Sequence, residues 1–345
     1  MQNQHLTYFK VENFKKFDSL EVKDIGQFNL IVGDNNVGKT CFLEALFFTE
    51  YDYSQLSQHL VNSLKRRNIL TENINLKKSE LIHLVKKNLI KNKKDEYISY
   101  SFFPEYDYDN EKYYEDISHT IIVDNIYYDE NADKISDEAE VIRFDILFNI
   151  EKNLKYNFPF IAFNSTYEID IFQLYNNIKT KSDKENLIKT LKVINDSIID
   201  VELRQNFDEL ENVFLLSFKN KDEFVPVNYL GDGFKRIFYI ILKVLSLKGK
   251  KIMIDEIETG IHYSRQKGFW INILKICNEL DVQIFATTHS NECLQAFYEA
   301  SKELNEQKDI RLISLQEGEQ EKIYSTTYNF ENIEAGLYSN IELRA

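Results

Sequence analysis

The sequence predicts an α/β fold, and three stretches carry that expectation. Phe28-Asn29-Leu30-Ile31-Val32 is a short apolar run that leads into the glycine loop Gly33–Thr40 and then into the apolar stretch Cys41–Phe48. Lys251-Ile252-Met253-Ile254 is a second short run, and it ends in Asp255-Glu256. Val282-Gln283-Ile284-Phe285-Ala286 is a third, and it ends in Thr287-Thr288-His289-Ser290. Short apolar runs bounded by turn signals read as buried strands. Polar groups gathered at their carboxyl ends mark the edge at which open α/β sheets bind ligands.

Taken in chain order, Leu6–Val11, Ser19–Lys23 and Phe28–Val32 read as three strands, with turn signals at Asn13 and at Asp24-Ile25-Gly26. Gly33-Asp34-Asn35-Asn36-Val37-Gly38-Lys39-Thr40 then fits G-x-x-x-x-G-K-T in the strand–loop–helix setting that a phosphate-binding loop needs. Gly33 and Gly38 let the backbone curl so that successive N–H groups point at phosphate oxygens, and the helix opening at Cys41 adds its partial positive charge. Lys39 is placed to reach the β- and γ-phosphates, and the Thr40 hydroxyl to hold Mg²⁺. Residues 1–52 are therefore read as the first part of an ATP-binding head.

Residues 53–93 carry helical spacing, seen in Leu56, Leu60, Val61 and Leu64 and again in Leu81, Leu84, Val85, Leu89 and Ile90. From 97 to 150 the text turns to strand-forming residues, in Tyr97–Phe103, His119–Tyr128 and Glu140–Ile150, and Phe158–Phe163 is a further strand. The stretch 53–160 is accordingly read as an inserted helical and β region, and 161–345 as the return to the head. Within that return, 168–204 reads as helix, with Leu187, Leu191, Ile194, Ile198 and Val201 on one face. Val213–Phe218 reads as a strand, and Gly231-Asp232-Gly233-Phe234-Lys235-Arg236 opens a helix whose start could offer N–H groups to an anion.

The two acidic residues at 255 and 256 are assigned different work, because neighbours on a strand point to opposite faces. Asp255 holds Mg²⁺ beside Thr40, and Glu256 accepts a proton from, or orients, the attacking water. His289 is the one histidine of six that ends an expected core strand, where it can sense the γ-phosphate by hydrogen bonding.

At 345 residues and 43% hydrophobic content the chain can bury a large core. No apolar run approaches a membrane span. The start, Met-Gln-Asn-Gln-His, has no secretory pattern, and Cys41, Cys277 and Cys293 show no pairing or zinc spacing. A cytoplasmic protein with no membrane partner is expected. The net charge of −14 argues against nonspecific nucleic-acid binding by the whole surface. The charge is uneven: residues 61–94 carry a local net of +8, and 95–140 a local net of −13.

The ordered set Asn35–Thr40, Gly231–Arg236, Ile254–His262 and Ala286–Ser290 resembles the ABC-type ATPase heads of the SMC and recombination-repair group. More narrowly it resembles the OLD-like (overcoming lysogenization defect) ATPases of bacterial phage-defence systems. The tail, Glu334-Ala335-Gly336-Leu337 through Ile341-Glu342-Leu343-Arg344, is similar to that of ATPase-only members. The likeness covers about residues 5–50 and 210–345.

The resemblance implies a Walker A loop at Gly33–Thr40 with Cys41 beside it, and a Walker B pair at Asp255/Glu256. It also implies a signature at Gly231–Gly233, a D-loop at Thr259–His262 and a switch histidine at His289. It implies a homodimer or higher homo-oligomer in which two subunits sandwich ATP and Mg²⁺, and in which Asp232, with Lys235 or Arg236 as charge partners, acts in trans. Gly231 and Asp232 depart from the serine and glycine of a typical ABC signature. Gln173 is the nearest match to a Q-loop glutamine. OLD-family nucleases add a TOPRIM domain. Only 55 residues follow Ser290 here, so a nuclease is expected from a separate effector chain. The function expected is a nucleotide-gated sensor or scaffold ATPase in phage defence. The alternative is an SMC-like DNA-maintenance ATPase, and a transporter subunit fits least. The basic stretch 61–94 separates the first two, and contact with an effector or a phage-derived trigger is favoured over DNA.

Overall fold

The computed structural model describes residues 5–49, 84, 87–92, 97–108, 111–114, 117–122, 140–143, 159–163, 171–207 and 210–339. The centre of the fold is a parallel sheet in the order β15-β14-β3-β13-β12-β8. Its members are β3 (Phe28–Gly33), β8 (Phe160–Ile161), β12 (Lys251–Ile254), β13 (Gln283–Thr287) and β14 (Ile310–Glu317), with β15 (Ile323–Tyr328) added antiparallel at one edge. β3, β12 and β13 are buried along their whole length, as strands covered on both faces must be.

Alternation along these strands divides the interior in two. Leu30, Val32, Ile252, Ile254, Ile284 and Ala286 face one core, while Ile31, Met253 and Phe285 face the other. The second core lies between this sheet and a mainly antiparallel one, built from β1 (His5–Phe14), β2 (Phe17–Val22), β4 (Tyr97–Tyr108), β5 (Glu111–Tyr114), β6 (Ile117–Ile122) and β7 (Glu140–Arg143), the last parallel to β6. Helix α1 (Lys39–Ala45) fills the gap. Phe42 sits 6.1 Å from Phe9 of β1 and 6.5 Å from Phe285 of β13, ring centroid to ring centroid. A segment apolar on nearly every side, as 41–48 is apart from Glu44 paired with Lys15, suits such a doubly covered position.

The first core is roofed by helices. These are α2 (Ile171–Asn176), α3 (Lys181–Ile194), α4 (Asp232–Ser246), α5 (Tyr263–Leu280), α6 (Asn291–Leu304) and α7 (Phe330–Tyr338). A small sheet, β11-β10-β9, joins them through β9 (Ile198–Phe207), β10 (Leu210–Phe218) and β11 (Val225–Pro226). The helix ends carry the expected chemistry. Thr180, Ser290 and Asn329 accept backbone N–H groups at the starts of α3, α6 and α7, and Asp281 and Asn305 close α5 and α6 in the left-handed conformation.

The α/β expectation with a parallel sheet is met, and two readings are corrected. The helix expected over 168–204 is two helices followed by a strand. Asn195 stops α3, and its side chain accepts the Ser197 N–H. In β9, Ile198 pairs with Phe218 and Asp200 with Ser217, so Ile199 bulges out and is 49% exposed. The bulge returns Ile198 and Val201 to the same buried side, a spacing of three that imitates a helix. The second correction concerns 53–160. Among its described strands β4 pairs with β1, β5 and β6 pair with β4, and β7 pairs with β6, so these strands belong to the same sheet as β1 and β2. The boundary drawn at 160 falls inside β8. The helix expected over 53–93 lies outside the described residues except at 84 and 87–92, as does most of the basic stretch 61–94.

Candidate functional site

The glycine loop leaves the carboxyl end of β3. Gly33 has φ 139°, and a Cβ there would lie 2.3 Å from the Leu315 carbonyl on β14, so the loop starts where no side chain fits. Gly38, at φ 113°, caps α1 with its ring neighbour Phe17 close behind it. Val37 is buried as a peg, while Asp34, Asn35 and Asn36 are exposed. Lys39 is buried and folds back over the loop, donating to the carbonyls of Gly33 at 2.7 Å and Asp34 at 2.8 Å. Burial pulls its ammonium down to a pKa of about 8, against the opposing pull of Asp255, Asp34, Glu256 and Glu258.

Thr40 and Asp255 come together although 215 positions separate them: Thr40 Oγ1 donates to Asp255 Oδ2 at 3.0 Å. Thr287, at the end of β13, joins them. Its hydroxyl donates to Asp255 Oδ1 at 2.7 Å and accepts the Glu256 N–H at 2.8 Å. The separation of Asp255 from Glu256 does not arise by strand alternation, as the sequence suggested. β12 ends at Ile254, and Glu256 turns away in the left-handed conformation at φ 48°. Asp255 is thereby buried at 4% exposure, and Glu256 stays open to solvent with its Oε1 4.0 Å from His289 Nε2. The His289 backbone is held by Glu258, whose Oε1 accepts its N–H at 2.9 Å.

A cavity of about 360 Å³ lies in front of this group, lined by Asn36, Gly38, Lys39, Thr40, Cys41 and His289. It is also lined by Lys15 and Lys16, which the sequence left unassigned, and by Lys87 and Lys91, which belong to the basic stretch 61–94 expected to contact an effector or trigger. Lys15 and Lys16 form the β1–β2 turn, with Lys15 paired to buried Glu44 and Lys16 donating to the Asn36 carbonyl. Lys87 and Lys91 arrive by docking. Lys15 N–H donates to the Leu89 carbonyl at 2.7 Å, and the Asn13 side chain bonds the Asn92 N–H and the Tyr97 carbonyl. The signal available in sequence was the Asn13-Phe14-Lys15-Lys16-Phe17 turn, where two lysines stand between phenylalanines that both enter the core.

Gly231 caps α4 at the surface, with open space where its Cβ would be. Asp232 is 97% exposed with Lys235 Nζ at 3.4 Å, so both face outward. Gly233 instead packs on Gly260 of the loop after Glu256: a Cβ on Gly233 would lie 2.3 Å from the Gly260 carbonyl. Arg236, expected as an outward charge partner, is turned inward and 2% exposed. Its guanidinium donates to the carbonyls of Ala162, Phe163, Asp255 and Glu256. It sits one turn along α4, on the helix face that packs against the sheet. Gln173 lies on the exposed side of α2 and does not line the cavity.

Among the described residues there is no group of three or more His, Cys, Asp or Glu side chains fit for a metal. The Thr40 hydroxyl and Asp255 carboxylate are hard oxygen donors in contact, the donor type by which Mg²⁺ is held when phosphates complete its shell. Among the described residues no helix is long and apolar enough to cross a membrane.

A parallel sheet whose glycine loop and histidine line one cavity, with Asp255 against Thr40 and Glu256 beside His289, defines a P-loop ATPase head. Residues 28–294 match the family described as "AAA domain, putative AbiEii toxin, Type IV TA system", and the chain belongs to that family. It is an ATPase of AAA type. It is 23% identical over 360 residues to an "ATP/GTP phosphatase" of Helicobacter pylori (strain ATCC 700392 / 26695), covering 94% of this chain and 96% of that one. Its fold is similar to an Smc head bound to the C-terminal winged-helix domain of ScpA, at TM-score 0.53, 12% identity and coverage of 96% and 99%. It is likewise similar to the Smc head with an extended coiled coil bound to the C-terminal domain of ScpA, derived from Pyrococcus furiosus, at TM-score 0.52, 10% identity and coverage of 98% and 100%.

Proposed function

We propose that the chain is a nucleotide-gated ATPase that works as paired copies and controls a separate effector in bacterial phage defence. The observation that carries the catalytic part is the contact set Thr40–Asp255–Thr287–Glu256 beside Lys39. It puts a hard-oxygen pair and a partly exposed carboxylate next to the phosphate cradle that lines the cavity. Lys39 would leave its loop carbonyls for the β- and γ-phosphates. Thr40 and Asp255 would hold Mg²⁺, which neutralises phosphate charge when bound. Glu256 would take the proton of the attacking water, and His289, within 4.0 Å of Glu256, would face the γ-phosphate. The name of the Helicobacter relative supports triphosphate hydrolysis.

Pairing is supported by the outward setting of Gly231, Asp232 and Lys235, which leaves this loop free to meet a nucleotide on a second copy. The defence role is supported by the motif likeness to OLD-like ATPases and by the family's description as a putative toxin of a type IV system. A nuclease chain of TOPRIM type is the effector this reading favours.

The catalytic assignment is tested with Glu256→Gln. It should bind ATP within about threefold of wild type and lose about a hundredfold or more in phosphate release, since only the proton acceptor is removed. Wild-type turnover would refute the role of Glu256.

A further inference from the structure

Arg236 occupies a position that the hydrolytic reading leaves without a task. It is a buried cation on the helix that begins with the exposed loop Gly231–Gly233, and it reaches the backbone of the residues that would carry the chemistry. One terminal nitrogen donates to the carbonyls of Ala162 at 2.9 Å and Phe163 at 3.0 Å, on the segment leaving edge strand β8. The other donates to the carbonyls of Asp255 and, at 3.0 Å, Glu256. Glu256 is held at its other end by Thr287, which accepts its N–H at 2.8 Å.

These bonds fix an otherwise unfavourable backbone. Glu256 is a non-glycine residue at φ 48°, a conformation that persists only where the surroundings impose it. Its side chain is 35% exposed and its Oε2 accepts one hydrogen bond, from Thr259 Oγ1 at 3.3 Å. The backbone clamps set the point and direction from which that side chain leaves the chain. A guanidinium suits this role because its planar fork serves two carbonyl pairs at once and stays charged when buried.

We propose that Arg236 is the positioning residue for Glu256. Through it the start of α4 is tied to the carboxylate that handles water in the same subunit, while Asp232 and Lys235 stay turned outward. The contact between Gly233 and Gly260 makes the tie short, since the helix start and the loop following Glu256 touch through bare backbone. A displacement of the Gly231–Gly233 loop is then transmitted to the aim of Glu256. This inference rests on the reading of Glu256 as the group that handles water.

The test is a comparison of Arg236→Met with wild type and of both in the Glu256→Gln background, with nucleotide affinity and single-turnover phosphate release measured on the full chain. Arg236→Met should keep nucleotide affinity within about threefold and lose about tenfold to a hundredfold in turnover, the size of effect that misplacing a reacting group has. In the Glu256→Gln background the same change should cost less than about twofold, because the group being aimed is already gone. Arg236→Lys, which keeps the charge and loses the fork, should show the same split at smaller size, and it serves if Arg236→Met does not fold. A folded variant with wild-type turnover, a loss of binding equal to the loss of turnover, or an equal loss in both backgrounds would each overturn the proposal. Glu256→Gln with undiminished turnover would instead bring down the catalytic reading beneath it.

Discussion

Lys39 is the side chain whose charge the fold controls most directly. Without nucleotide, its buried ammonium is satisfied by two loop carbonyls, and burial lowers its pKa from 10.5 to about 8. Between those values the unfolded chain keeps a proton that the folded chain has released. The contribution of Lys39 to nucleotide-free stability therefore rises with pH across that window and is at its lowest below pH 8. Bound phosphates would restore the charge, so binding near pH 8.5 should take up a fraction of a proton per site. Calorimetry in two buffers of different ionisation enthalpy should detect that uptake in wild type and not in Lys39→Met. Equal apparent enthalpies in wild type would contradict it. Glu256 and Arg236 belong to the same scale. The first was legible as a strand-end acid; the true setting of the second was not, because a helix start rich in charge looks the same whether its arginine turns out or in.

At the scale of elements, the joint between α4 and the loop after β12 is made of two glycines. Gly260 has φ 80°, and a Cβ there would lie 2.5 Å from Gly233 Cα. Gly260→Ala should therefore push the start of α4 away from Glu256. The expected cost is about 1–3 kcal/mol of stability from the strained φ alone, read by chemical denaturation. Turnover should fall by more than nucleotide affinity does, and a variant as stable as wild type would show that the joint can spread freely. This joint was invisible in the sequence, since two distant glycines carry no pattern. The strands β3, β12 and β13 were legible because parallel strands buried on both faces read as unbroken apolar runs closed by polar chemistry. β9 was misread because its bulge at Ile199 recreates a helical spacing. β4 was read as a strand, yet its place beside β1 could not be read, because pairing across some ninety residues leaves no local mark.

The described residues form a head of two sheets with a helical roof over one of them, and α1 is packed between the two sheets. The segment after α1 returns at 87–92, and by docking on the β1–β2 turn it sets Lys87 and Lys91 at the nucleotide cavity. Lys87→Glu with Lys91→Glu should weaken nucleotide binding by about tenfold, more at low salt than at high salt, since two attractive charges at the rim become repulsive. An unchanged affinity in a salt series would place these lysines outside the phosphate field.

On the proposed function a second copy meets the exposed start of α4 at Gly231 and Asp232. Mixing two inactive variants tests that claim most directly. Lys39→Ala lacks the cradle and keeps the loop; Asp232→Arg keeps the cradle and spoils the loop. Each alone should be nearly inactive. Combined in equal amounts, with mixed assembly verified by differently tagged copies, they should recover about a quarter of wild-type phosphate release, because half the pairs are mixed and each holds one intact composite site. No recovery in a verified mixed assembly, or full activity of Asp232→Arg by itself, would contradict a site completed by a second copy.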